Sequence, residues 1–230
     1  MSISATTASR KLPAMPTLKA FIAGFVDTVG FVALFGLFTA HVTGNFVLIG
    51  ASVANGRPGV IGKLLALPTF IIGVALTRLL ILALLRKQRD AAVPLMAVEL
   101  IALLLFMAAG VYYAPFADAN SWIAIGVGML GVLTMSVQNA GSRTTFLHLG
   151  PTTVMTGNVT QIVIDLVDLM TGVAAPETRE RIGKTWPPVA GFAIGAVGGG
   201  LCYWLAGFWS LLVPAVALGF LLLRLCAAGR

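Results

Sequence analysis

The sequence predicts an all-α polytopic membrane protein with six transmembrane helices and two re-entrant, broken TGN half-helices, arranged as an inverted internal repeat. Three observations predict it. The 230 residues are 58% apolar and only 10% charged, with a mean hydropathy of +0.97, whereas soluble chains run near a quarter charged. Several apolar runs reach the ~20 residues that a helix needs to cross the hydrocarbon. A Thr-Gly-Asn triplet occurs twice, in similar surroundings.

Residues 1–17 are small, polar and Pro-interrupted, with no apolar core before Leu18, so they read as a mobile cytoplasmic tail rather than a signal peptide. The first membrane repeat is read as residues 18–114 and the second as 122–227, together one integral membrane domain. The first holds runs at Leu18–Phe38, Leu64–Leu85 and Pro94–Ala114. The second holds Trp122–Gly141, Pro188–Phe208 and Trp209–Leu225, the last two separated by a turn between Gly207 and Ser210. Phe46–Ala54 and Val159–Met170 are too short to cross or carry charge.

The formal charge of +7 resembles a nucleic-acid signature only until the basic residues are placed. They stand at the ends of apolar runs, where membrane proteins keep them, so the implied partner is the lipid bilayer and not nucleic acid. Arg10, Lys11, Lys19, Arg86, Lys87, Arg89, Arg143, Arg179, Arg181, Lys184, Arg224 and Arg230 fall on one side if Phe46–Ala54 enters and leaves by one face. Arg57 and Lys63 fall opposite, and Arg78 lies within a run. The positive-inside rule then places both termini in the cytoplasm. Cys202 and Cys226 lie in apolar runs and imply no disulfide framework.

Val42-Thr43-Gly44-Asn45 returns as Met155-Thr156-Gly157-Asn158. Val26–Gly30 precedes the first copy as Val137–Gly141 precedes the second, and Phe70–Ala75 follows the first as Phe192–Val197 follows the second. Three crossings per half, an odd number, would insert the halves in opposite directions. Inverted repeats of this kind build many secondary transporters, with sites where interrupted segments meet near the midplane. Glycine permits a sharp turn, and asparagine before an apolar helix is a favoured N-cap. The triplets therefore predict a break followed by a short helix, at Phe46 and again at Val159. Irregular backbone at membrane depth survives only when buried in protein or lining a cavity. Two helix N-termini facing each other would suit an anionic or neutral polar solute. The alternative is that both triplets only shape packing.

The run Gly24–Phe31, His41-Val42-Thr43-Gly44-Asn45, Gln138-Asn139 and the second Thr156-Gly157-Asn158 together resemble the YoaK-like family of bacterial inner-membrane proteins, a domain of unknown function. The similarity runs from about residue 15 to 225. It implies a multi-pass protein of the bacterial inner membrane and carries no substrate with it.

Asp27 stands near the middle of the first run, where a lone carboxylate costs roughly 2.5–3.5 kcal/mol by insertion scales and therefore needs a partner, a cavity or a proton. Arg78 lies at a depth that makes an Asp27–Arg78 pair a candidate, either as a coupling site or as a structural ion pair. His41 precedes the first TGN and is expected to cap or line a lumen; Val154 replaces it in the second half. Gln138 and Asn139 take the places of Asp27 and Thr28, giving one ionisable and one neutral wall. Glu99 is expected to be hydrated near the cytoplasm. Asp165 and Asp168 are expected to mark where their helix returns to water, and Pro176–Lys184 to form a solvated loop or surface helix. Gly191, Gly195 and Gly199 form a ladder for close helix contact, expected to be internal.

No zinc-type spacing, P-loop, GxSxG elbow or base-partnered carboxylate pair is present. The expectation is therefore no enzyme, no catalytic residue, no metal and no cofactor. The function read from the sequence is a transporter or channel-like permease for a small polar or anionic solute. Its solute site is formed by Thr43, Gly44, Asn45, Thr156, Gly157, Asn158, Asp27, Gln138 and Asn139, with Asp27, Arg78 and His41 as coupling or ion-pair residues. The alternative is a membrane scaffold or regulatory protein, and a homo-oligomer is compatible with either.

Overall fold

The structure is a computed structural model that describes residues 14–56 and 58–228. Most of the tail, with Arg10 and Lys11, and also Arg57 and Arg230 lie outside the described residues. In chain order the helices are α1 (Met15–Ala33), α2 (Gly44–Ala54), α3 (Val60–Arg86), α4 (Ala92–Tyr113), α5 (Trp122–Ser142), α6 (Thr156–Thr171), α7 (Thr178–Ala206) and α8 (Leu212–Ala228). Short 3₁₀ turns occupy Leu147–Leu149 and Gly207–Leu211.

The chain is all-helical among the described residues, and five segments are long and apolar enough to cross a membrane. They are α1, α3, α4, α5 and the stretch Thr178–Ala228, which bends at Gly207, where φ is +56°. Phe208 follows the bend and seats its ring where a Cβ on Gly110 of α4 would lie 2.0 Å away. This insertion fixes the turn that the sequence placed between Gly207 and Ser210. Two boundaries differ from expectation. α1 stops at Ala33 rather than Phe38, because Phe35 (φ +55°) and Gly36 (φ +79°) turn the chain out of the helix. α7 begins at Thr178, so the charged stretch up to Lys184 forms its first two turns, with Pro187 and Pro188 further inside the helix.

Burial separates two kinds of helix. In α1 and α5, 61% and 67% of the apolar window is buried, against 22% in α3 and 33% in α4. α1 and α5 are therefore the interior helices, while α3 and α4 turn Ile71, Ile72, Leu76, Leu79, Ile101 and Leu105 outward. Outward apolar side chains are what a helix bounded by lipid requires.

Glycines set the closest approaches. Gly191, Gly195 and Gly199 of α7 face the backbone at Thr17, Phe21 and Phe25 of α1, in the same chain order, so the two helices run parallel. A Cβ on Gly195 would lie 2.1 Å from the Phe21 carbonyl oxygen, and one on Gly24 would lie 2.3 Å from that of Phe192. α3 runs parallel to α5 in the same manner: Gly62 faces Ile125 and Gly73 faces Ser136. α4 packs against α5 and α8, and α8 also packs against α1.

Candidate functional site

The polar interior is built on the two central helices and the loop that follows each. α1 continues for six residues past Asp27, about 9 Å at 1.5 Å per residue. The loop after it folds back down that length. Asp27 Oδ1 accepts the backbone N–H groups of Thr39 (2.7 Å) and Ala40 (2.6 Å) and the Thr39 hydroxyl (3.2 Å), and Oδ2 faces His41 Nδ1 at 2.6 Å. Thr39 is fully buried, and the loop fits because Gly30 of α1 and Gly131 of α5 leave room for it. A Cβ at either would lie 2.6 or 2.9 Å from the Thr39 methyl carbon. At the far end of α1, Lys63 Nζ donates to the carbonyls of Phe35 (3.0 Å) and Gly59 (3.2 Å), and the Gly59 N–H donates to Asn120 Oδ1 at 3.1 Å. The chain thus leaves this end at Phe35, reaches Asp27, and is back at the same end by Gly59 through α2.

Asn45 does not cap α2, which starts one residue earlier, at Gly44, with no side-chain cap. Its amide instead clasps one peptide unit of the loop: Oδ1 accepts the Phe38 N–H (3.0 Å) and Nδ2 donates to the Phe38 carbonyl (2.9 Å). The first N–H groups of α2 are also in use, those of Gly44, Asn45 and Phe46 bonding to the carbonyls of His41, Val42 and Thr43. The open N-terminus expected for α2 is therefore closed by its own tight turns. Thr43 is exposed, and Gly44 lies against the Phe38 ring.

After α5 the same arrangement recurs with different chemistry. Gln138 Nε2 donates to the Thr152 hydroxyl (3.1 Å) and to the Lys19 carbonyl (2.8 Å), and the Thr153 hydroxyl donates to Asn139 Oδ1 (2.7 Å). Asn158 donates to the carbonyl seven residues before it, Pro151, as Asn45 does to Phe38, but at 3.4 Å. α6 starts at Thr156 without a side-chain cap, so Asn158 sits inside its first turn rather than before it. Thr156 and Gly157 are exposed, and Asn158 lines a cleft of about 440 Å³ together with His148, Arg181, Lys184 and Pro188.

The helix α7 joins the two loops. His41 meets the Phe192 ring edge-on at 5.6 Å, and Pro188, one turn earlier, lines the cleft that holds Asn158. The His41 side chain is 30% exposed and that of Asp27 only 6%, so the imidazole screens the carboxylate from the open side.

Several expectations change. The predicted Asp27–Arg78 pair does not form: Asp27 is engaged by the loop, and Arg78 lies exposed on α3. Glu99 is not hydrated but buried, and forms an ion pair with Lys19. The reach of Lys19 from α1 to α4 spans 80 positions of sequence, a separation no local pattern reveals. Asp165 is also buried, held by Arg181 at 2.6 and 2.8 Å and by Gln161 at 2.8 Å. Hydrogen bonding from the Arg181 guanidinium keeps that carboxyl below the usual carboxylate range. The glycine ladder makes the internal contact expected of it, with α1. Thr39, Thr152 and Thr153 were not singled out by sequence reasoning, and Lys63 was placed only by its side of the membrane, not as a partner of the loop. A signal for one pair existed, since Thr39 and Thr152 each stand six residues before the TGN asparagine. Among the described residues no three His, Cys, Asp or Glu side chains gather to hold a metal ion.

A family model described as a protein of unknown function (DUF1275) matches residues 15–224. The chain is 28% identical over 155 residues to the UPF0700 transmembrane protein YoaK of Bacillus subtilis (strain 168), an alignment covering 65% of this chain and 65% of that protein. This chain thus spans just under two thirds of that relative's length. No solved structure matches.

Proposed function

The chain belongs to the DUF1275 family, a family of membrane proteins on the showing of its transmembrane relative and its own apolar helices, and from that premise we propose that it is a permease for a small polar or anionic solute. It crosses the membrane six times as an inverted repeat, and the solute passes between the two loops that break the helical pattern. The observation that carries the proposal is the fold-back of the first loop onto Asp27. Polar, non-helical backbone is held beside the middle of an interior helix, and such backbone at membrane depth belongs beside a cavity or inside protein.

The packing supports the inverted repeat. The first helix of each half runs parallel to the second helix of the other, α1 with α7 and α5 with α3. α4 and α8, the third helices, pack together. The 51-residue segment Thr178–Ala228 amounts to about 76 Å of helix, more than twice the hydrocarbon thickness. With its bend at Gly207 it crosses twice. α2 and α6 re-enter from opposite faces, both termini are cytoplasmic, and the membrane is the bacterial inner membrane. The protein is not an enzyme and uses no cofactor.

Within this reading Asn45 shapes the break, while Thr43, Thr156, Gly157, Asn158 and the exposed edge of His41 line the solute path. The clasp of Asn45 on Phe38 favours a second reading, a scaffold whose TGN breaks serve packing alone. Purified protein in liposomes, tested for uptake of a panel of anions and neutral polar solutes, separates the two. Uptake above protein-free liposomes is expected; a folded protein that passes nothing on the panel leaves the scaffold. Reporter fusions after Asn55 and after Ala117 are both expected outside the cell, and a cytoplasmic signal from either overturns the topology.

A further inference from the structure

We propose that His41 Nε2 is the atom at which this permease takes up one proton together with a small monovalent anion, so that transport is proton-linked. The inference rests on the permease reading and adds to it the coupling ion and the charge of the solute.

The geometry dictates which nitrogen exchanges the proton. A carboxylate ion only accepts hydrogen bonds, so the contact of Asp27 Oδ2 with His41 Nδ1 at 2.6 Å requires the hydrogen on Nδ1. Nε2 is then the nitrogen that gains or loses a proton. The buried Asp27 orients the ring, and the ring is the part left exposed. Phe38 and Phe192 stand edge-on to the imidazole at 6.0 and 5.6 Å and hold it in place without offering a competing charge.

The charges around the ring are few. Asp27 is the charged side chain that His41 contacts. α7 presents Phe192 to it, and the charges nearest along that helix, Glu177, Glu180, Arg181 and Lys184, lie in the cleft beyond Pro188. Glu180 is paired with Lys184, and Arg181 with Asp165. With the ring neutral, Asp27 and His41 together carry one negative charge and repel an anion. A proton at Nε2 brings the sum to zero and turns an acceptor into a donor on a side chain that is 30% exposed. A cation finds the carboxylate already occupied by two N–H groups, a hydroxyl and the imidazole. The site therefore admits an anion in company with a proton. The cycle balances as a proton transfer: Nε2 takes the proton from a hydronium ion on one side, the N–H forming as the O–H breaks, and gives it back to a water molecule on the other, the N–H breaking as the O–H forms. The second half has Val154 in the place of His41 and Gln138 in that of Asp27, so the His41–Asp27 pair has no counterpart there.

His41→Asn tests the assignment, since its amide nitrogen stands where Nδ1 stands and still donates to Asp27, while Nε2 is lost. Liposomes containing the protein and a trapped pH-sensitive dye are challenged with gradients of nitrate, formate, acetate, lactate and phosphate. Acidification accompanying at least one anion, above the protein-free baseline, is expected for the parent chain and is expected to vanish in His41→Asn. Anion uptake with no proton movement, or acidification that survives in His41→Asn, overturns the coupling and leaves the permease standing. No uptake of any anion or neutral solute overturns the permease and the coupling together. A second arm needs no solute. In a His148→Gln background His41 is the remaining histidine of two, and the tautomer of its neutral ring can be read by nitrogen NMR. The Nδ1–H form, with Nε2 bare, is expected from the contact with Asp27. The opposite tautomer overturns the proposal.

Discussion

The loops after α1 and after α5 are the same backbone device with different chemistry. In each, a polar side chain in the C-terminal half of an interior helix holds the loop, a threonine six residues before the TGN asparagine answers it, and that asparagine reaches back seven residues. The first loop is held by a carboxylate that takes two backbone N–H groups and is capped by a histidine; the second is held by amides bonding to hydroxyls. The contrast teaches that the turn itself needs only hydrogen-bonding capacity. The charge on the first side is surplus to that need, and surplus charge inside a membrane protein is a functional feature by default.

The largest effect expected from breaking this contrast is at Asp27. Asp27→Ala strands two N–H groups and a hydroxyl in a buried site, for which about 3–9 kcal/mol is expected from roughly 1–3 kcal/mol per unsatisfied group. Gln138→Ala, which removes the partner of the Thr152 hydroxyl while the Lys19 carbonyl keeps its place in the helix, is expected to lose less. Thermal melting of the detergent-solubilised variants compares them, and equal losses would show that the charge does nothing special for the first loop.

The glycine contacts sharpen the comparison next. Gly195→Ala pushes a methyl group to 2.1 Å from the Phe21 backbone carbonyl oxygen, while Gly73→Ala meets the Ser136 hydroxyl, which can rotate, and the Ser136 Cβ at 2.8 Å, which requires a smaller helix shift. Overpacking at Gly195 is expected to cost about 1–3 kcal/mol, and Gly73→Ala less, read from the same melts.

The asparagines follow. Asn45 is buried with two good bonds and Asn158 lines a cleft with weak ones. Asn45→Ala is expected to destabilise by about 1–3 kcal/mol, and Asn158→Ala by about 0.5 kcal/mol or less. A reversal would mean that the second loop, not the first, is the more tightly fixed.

The smallest effect concerns pH. The Asp165 carboxyl is held below its ordinary range in the folded chain, so its contribution to stability is complete above the unfolded carboxylate value near 3.9 and is lost as pH falls through the folded one. Limited proteolysis of the α6–α7 region is expected to rise as pH falls below that point in the parent chain, and to be less pH-dependent in Asp165→Asn. Identical profiles would remove Asp165 from the account.

Much of the fold was legible because the bilayer imposes a length and the backbone imposes a period. The run Trp122–Gly141 became α5 almost residue for residue, and the three-glycine ladder found a helix to approach. The end of α1 was not legible, since Leu34–Phe38 is as apolar as the helix before it. The chain leaves the helix there through the left-handed turn at Phe35 and Gly36, and the hydrogen bonds from Thr39 and Ala40 to Asp27 hold it back against α1. The TGN triplets lie at the first turns of α2 and α6, just after the breaks rather than at them, and the work of their asparagines was not legible, because a short amide serves a following helix or a preceding loop equally well from sequence alone.

What the sequence by itself determined is membrane residence, the positions of the apolar helices and the duplicated triplets, all of which follow from local composition and spacing. The tertiary structure decided the partners: Asp27 with His41 rather than Arg78, Lys19 with Glu99, and Arg181 with Asp165. The physical reason is that a charge in a low-dielectric interior must be met by whichever donor or acceptor the packing brings within about 3 Å. Which one that is depends on how the helices cross, and no stretch of sequence holds that information alone.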